Sequence, residues 1–352
     1  MVVVAASLFG ACGSTQSSAG TPSAGLTVEL TSRGDAPPAS MAAPVPAPAP
    51  SMRVDAEPAP APTTAQPPAL KSLNLVDSPG DTRLEAAVAH LVAGKSLEAR
   101  RALQIIMPEI DGAATLDVRL AAHALLGRSC AALKDAACAK TQFELVTALW
   151  KDPPAGATPL ADLPGDDDAR RLRMARALTA VGEALYHQAE GKRLLADKER
   201  VPVYKGKGDR ESLLKHVNTK TRPWVDARRK LIEEAEKAYV EIARLPSPPP
   251  YWVVAAASRV GQMWGAFVAE FRAAPIPKEW LGTGVLPKTE LAREEVRATY
   301  YAVIDEASEP QKHRARAAFE MCQDIAKKWA LENEHSAQCD AWLKRHPKPP
   351  SP

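Results

Sequence analysis

Residues 116–150 read LDVRLAAHALLGRSCAALKDAACAKTQFELVTALW, and this stretch decides the fold class. It divides at Lys134-Asp135 into two runs dominated by Ala and Leu, which are strong helix formers. Much of the chain has the same character. Alternation of Val, Ile and Thr, the period-two signal of a strand, is nearly absent. The expected fold is therefore all-α, built from helical hairpins.

A second hairpin is legible just upstream. Asp81 is placed to cap a helix carrying Leu84, Val88 and Leu91 at helical spacing. Gly94 stops that helix, and Ser96 caps the next, with Ala99, Leu103 and Ile106 on one face. Gly94-Lys95-Ser96 imitates the end of a phosphate-binding loop. That loop needs a Gly five residues earlier and a strand before it; the position holds Ala89, inside a helical pattern, so the phosphate reading is rejected.

Leu126-Gly127, Ala139 and Phe143 resemble the tetratricopeptide repeat, in which a Leu-Gly pair and a later Ala let two helices approach while an aromatic fills the groove. Asp152-Pro153-Pro154 supplies a Pro-bearing end. The upstream hairpin matches less well, with Ala87 where the Gly should be. Two adjacent related hairpins imply a tetratricopeptide-like α-solenoid over residues 80–152.

Residues 151–165 read as a Pro/Gly/Asp loop and a subdomain boundary, followed by a C-terminal helical repeat body over 166–347. Asp166-Asp167-Asp168 lack the alternating spacing of a calcium loop and fit the start of a helix, where the dipole favours acids. The helix should run through Leu172, Leu178, Val181, Leu185 and Leu195 and break at 201–208. A capped segment over 209–217 and a separate helix opening near Pro223 follow. Arg229, Lys230, Glu233, Glu234 and Lys237 read as the solvated face of that helix.

After Pro248-Pro249-Pro250 comes the most apolar helix, 251–273. Tyr251, Trp252, Trp264, Phe267 and Phe271, with Trp280 beyond it, admit two readings: a central core helix, or a docking surface for a partner peptide or envelope polysaccharide such as peptidoglycan. Three closing helices are expected at 289–308, 311–331 and 336–346.

The N-terminus supplies the cellular context. Residues 2–10 form an apolar run too short to span a bilayer, which needs about 20 residues. Phe9-Gly10-Ala11-Cys12 resembles the bacterial lipobox, which implies a signal peptide over 1–11 and a lipid on the Cys12 sulfur. Phe9 replaces the usual aliphatic residue, and no basic residue precedes the run. Gly13 after the Cys favours the outer membrane, facing the periplasm, under the sorting rule of enteric lipoproteins. Residues 12–79 lack periodicity and become Ala-Pro repeats, predicting a disordered, extended linker of polyproline II character.

Four further cysteines lie in two pairs. Cys130 and Cys138 flank the Lys134-Asp135 turn, and Cys322 and Cys339 flank a turn near Asn333. An even count in an exported chain favours disulfides across each hairpin. Buried free thiols or a metal site are the alternatives, although no His sits at ligand spacing beside either pair.

The 352 residues carry a formal charge of +3 with both signs interspersed, which gives no basic stripe for nucleic acid. No nucleophile elbow, zinc helix or glycine-rich nucleotide loop occurs, so neither an enzyme nor a cofactor is expected. The Ala/Pro tether, hairpins and aromatic helix ending in Ala274-Pro275-Ile276-Pro277 resemble tetratricopeptide-type envelope proteins of myxobacteria and related delta-proteobacteria. The resemblance implies a lipid-anchored scaffold binding envelope proteins, as in motility or secretion machinery. The alternative is a cell-wall-acting enzyme or its accessory domain, which would need a deep cleft with a convergent acid.

Overall fold

The computed structural model describes residues 74–151, 153–206, 209–287 and 290–348. The lipobox, Cys12 and nearly all of the linker lie outside the described residues. Among the described residues the fold is all-helical, and a single isolated antiparallel bridge pairs Val285 with Ala292.

A 3-10 turn at Thr82–Leu84 leads into α1 (Glu85–Val92), followed by α2 (Ser96–Ala113), α3 (Leu116–Ala132) and α4 (Ala136–Trp150). A short α5 (Pro153–Ala161) precedes the long α6 (Asp167–Ala196). After a loop come α7 (Arg210–His216), a π-helical turn (Val217–Thr221) and α8 (Arg222–Ala243). The chain closes with α9 (Pro250–Arg272), α10 (Arg293–Trp329) and α11 (Glu334–Arg345).

Short polar side chains start these helices. Asp135 accepts from the Cys138 N–H at 3.1 Å, Asp166 from Ala169 at 2.8 Å and Asp209 from Ser212 at 2.8 Å. Asn333 and Ser336 cap reciprocally, at 2.9 and 3.0 Å. The acidic triplet is thus a helix start: Asp166 caps, while Asp167 and Asp168 pair with Arg170 and Arg171 one turn on.

Three hairpins close on one turn. Gly94, Lys134 and Ala330 adopt positive φ, at 71°, 59° and 49°. The N–H after each bonds five residues back: Lys95 to His90 at 2.8 Å, Asp135 to Cys130 at 2.9 Å and Leu331 to Ala326 at 2.8 Å. This pattern satisfies carbonyls that a helix end leaves open. It joins α1 to α2, α3 to α4 and α10 to α11.

The core has two parts. The first, under α1–α4 and the first half of α6, is made mostly of Leu and Ala, with Phe143 and Trp150. The second, under the end of α6 and α8–α11, is built on Trp224, Tyr239, Trp264, Phe267, Phe271 and Phe319. The 30-residue α6, about 45 Å long, is common to both: Ala177 to Ala184 face the first core and Ala189 and Ala196 the second. At Gly182 it meets the start of α9 so closely that a Cβ would lie 2.6 Å from Pro249 and 3.1 Å from Trp252.

Three expected boundaries are corrected. Residues 151–165 contain α5: its opening prolines suit a first turn, and Leu160 is buried in the first core. The capped segment and the Pro223 helix are continuous through the π-helical turn, with Pro223 still in the first turn of α8. Finally, 289–308 and 311–331 are one helix of 37 residues running through Pro310. Pro310 and Glu306, the residue whose carbonyl loses its helical N–H partner, are both exposed, and Ile304, Ser308, Ala315, Phe319 and Cys322 bury one continuous stripe on either side of Pro310. Packing of that stripe outweighs the local cost of Pro.

Candidate functional site

An apolar pocket of about 70 Å³ lies where the two long connections of the second half meet. One wall is Val201, Pro202, Tyr204 and the face of α7 with its π-helical turn; the other is the end of α9, the segment through Pro275 and Pro277, and Tyr300 to Ile304 of α10. It has room for a few waters or one small ring. No carboxylate lines it, so the convergent acid required by a cell-wall hydrolase is not among its walls.

Its aromatic walls are held by a hydrogen bond on one side and by ring packing on the other. Tyr204 shares a hydrogen bond of 2.9 Å with the Ser212 hydroxyl, and its ring stands edge-on to His216 at 5.2 Å. Tyr300 packs edge-on against Trp280 at 5.6 Å. Burial pushes the Tyr300 phenol up to about 12, so it remains a protonated donor at neutral pH. That hydroxyl has no hydrogen-bond partner among the described residues.

Trp280 also starts an uncharged loop, Leu281-Gly282-Thr283-Gly284-Val285-Leu286-Pro287, whose Leu281 and Val285 are each 55% exposed. Two arginines of α10 fix it. Arg293 donates to the carbonyls of Glu279 and Thr283, both at 2.8 Å. Arg297 donates to those of Trp280 and Gly282, the latter at 2.8 Å. Val203, between the lining residues Pro202 and Tyr204, is 57% exposed.

The six aromatic residues expected to form one surface are dispersed. Trp264, Phe267 and Phe271 are buried in the second core, Phe271 reaching the pocket floor, and Trp280 is buried against Tyr300. The indole N–H of Trp264 donates to Glu236 at 3.1 Å, and burial raises the carboxyl pKa of Glu236. Only Tyr251 and Trp252 are half-exposed, and they pack together at the α6–α9 contact. The docking-surface reading of that helix is therefore corrected: 3.6-residue periodicity gives the aromatics one face, and that face is the core.

Beside Trp252 lies a saturated polar cluster. Glu190 accepts from Arg259 and Arg193, both at 2.9 Å, and from the Tyr239 hydroxyl. Arg259 also bonds the Tyr186 hydroxyl at 3.1 Å. Burial pushes Tyr186 up to about 12 and raises Tyr239 further. The Tyr251 hydroxyl donates to Glu334 at 2.9 Å. These groups hold α6, α8, α9 and α11 in register.

Both predicted cysteine pairs come together, with Cα atoms 5.7 Å apart for Cys130–Cys138 and 6.4 Å for Cys322–Cys339, each forming a disulfide. The Phe143 ring lies over Gly127, where a Cβ would be 2.9 Å away, as the Leu-Gly and aromatic pattern implies. The same device recurs unannounced by any motif: Phe319 lies over Gly261, at 2.8 Å.

Sequence reasoning missed the pocket. Its walls are far apart in the chain, and Tyr204, Tyr300, Arg293 and Arg297 belong to no motif. The one signal was the Pro content of both connections, at Val201-Pro202-Val203-Tyr204 and Ala274-Pro275-Ile276-Pro277. No helix among the described residues is long and apolar enough to cross a membrane, and no group of His, Cys, Asp and Glu among them is arranged to hold a metal. No family model matches the chain, and neither a curated protein nor a solved structure matches it.

Proposed function

We propose that this chain is an exported, lipid-anchored helical scaffold that holds protein partners in a bacterial envelope assembly, its first four helices forming a tetratricopeptide-like array. The observation that carries this reading is the pair of disulfides, each pinning a hairpin closed beside the same left-handed turn. Disulfides persist in oxidising compartments, which agrees with export, and a rigid array of helix faces suits protein binding more than chemistry. The outer membrane, facing the periplasm, is the site that Cys12 and Gly13 favour.

The experiment is metabolic labelling with a fatty-acid analogue, followed by cross-linking in intact cells. Label lost in Cys12→Ala, and discrete cross-linked complexes in the envelope fraction, are expected. Labelling that survives Cys12→Ala removes the anchor. Release of soluble fragments from peptidoglycan by the purified protein would replace the scaffold with the enzyme.

A further inference from the structure

The pocket beneath Tyr204 and Tyr300 has the character of a seat for a proline-rich strand, and the chain carries such a strand itself. Polyproline II segments dock in aromatic-lined grooves because they arrive already extended. They offer rings for apolar slots and carbonyls that need a donor. The pocket supplies both: an apolar slot of about 70 Å³ with no Asp, Glu, Lys or Arg in its lining, and Tyr300, whose hydroxyl is unengaged among the described residues.

Residues 43–50 read Ala-Pro-Val-Pro-Ala-Pro-Ala-Pro, and no charged residue occurs from 36 to 52. With three residues per polyproline turn, Val45 and Pro48 fall on one edge, an aliphatic side chain and a ring one turn apart. The ligand carries no charge and the slot is lined by no carboxylate, Lys or Arg, so docking buries none of these ions. Val203, between the lining residues Pro202 and Tyr204, is exposed.

The tether is longer than any helix of the body. Described structure begins at Asn74, and the 24 residues from 50 to 74 span about 75 Å at 3.1 Å per residue. The longest helix, α10 with 37 residues, is only about 55 Å long.

We propose that the pocket formed by Tyr204, Tyr300 and the Pro275–Pro277 segment binds residues 43–50 of the same chain as a polyproline II strand. Seated in this way, the strand draws the tether back along the helical body. The pocket is then free only when a competing strand displaces it.

The test uses the full chain with a benzophenone amino acid replacing the exposed Val203, irradiated at low concentration and mapped by mass spectrometry. The proposal expects an adduct within one chain, on the peptide containing residues 43–50. Its yield should fall about tenfold when Pro44, Pro46, Pro48 and Pro50 are all changed to Asp, and also on adding a synthetic peptide of residues 43–50. That quadruple variant lies outside the helical body, so it should leave the fold and both disulfides intact. The proposal is overturned by an adduct confined to the helices, by one equally strong in the Asp variant, by one on a co-purifying acyl chain, by one joining two chains only, or by none.

Discussion

The two halves of the molecule use the same fastening devices on different material. In the first, helices of 8 to 18 residues meet through tight turns over a core of Leu and Ala. In the second, helices of 22, 23 and 37 residues enclose a core of stacked aromatics. Each half seats one Phe ring over one Gly, and each has one disulfide across one hairpin. The devices are placed differently. Gly127, Phe143, Cys130 and Cys138 all belong to the α3–α4 hairpin, whereas Gly261–Phe319 joins α9 to α10 and Cys322–Cys339 joins α10 to α11. The first half is closed hairpin by hairpin, while the second is fastened across three helices. Its long connections are free to fold over the surface, and they form the pocket. Connections that carry sites on a rigid support are the usual arrangement.

The sharpest way to break this comparison is to remove the two rings. Phe319→Ala and Phe143→Ala should each cost about 3–5 kcal/mol of unfolding free energy in urea titrations, because both rings are buried. A small loss at either site would mean that the ring over glycine is incidental there. Next come the disulfides. Replacing Cys322 and Cys339 together by Ser should cost about 3 kcal/mol, and the same change at Cys130 and Cys138 about 2.5 kcal/mol, since the second pair closes the shorter loop. The separations are 17 and 8 residues. The order, read from thermal midpoints, is the test.

A smaller effect follows from filling the glycines. Gly127→Ala brings about 1–3 kcal/mol of overpacking, offset by about 1 kcal/mol of helix propensity. Adding Phe143→Leu should relieve the clash, so that the double variant is more stable than the sum of the singles. Gly261→Ala with Phe319→Leu should behave alike. Strictly additive cycles at both sites would refute close packing as the reason for glycine.

The smallest effect is that of pH. His187, beside Phe143 in the first half, and His335, beside Tyr251 in the second, are held neutral by burial, with pKa values lowered from 6.5. The unfolded chain takes up protons at these sites before the folded one does, so stability is lost as pH falls below about 6.5. Urea midpoints at pH 7.5 and 5.5 should show the decline. His187→Gln and His335→Gln should each reduce it, and an unchanged slope in both would remove these groups from the account.

The first half was the more legible in the sequence. Asp81, Gly94 and the Lys134-Asp135 turn marked its hairpins because caps and left-handed turns are local, and Leu126-Gly127 with Phe143 carried a repeat pattern. In the second half, Pro310 and Pro223 suggested breaks that tertiary packing overrode. The apolar helix at 251–273 was evident, but periodicity cannot say whether an aromatic face meets the core or a partner. The cysteine pairs were legible because their spacing about a turn is local too. The pocket was not, since Tyr204 and Tyr300 are brought together by three intervening helices.

The central claim, two hairpins locked by disulfides in an exported body, is tested most directly by mapping the cysteines of the protein taken from its own cells. Free thiols are alkylated before lysis, and the unreduced protein is digested with trypsin, which can cut at Lys134 and at Lys327 and Lys328, between the partners of each pair. The account predicts disulfide-linked peptides joining Cys130 to Cys138 and Cys322 to Cys339, with no alkylation at any of the four. Alkylated thiols at these positions, or linkage between the two pairs, would contradict it.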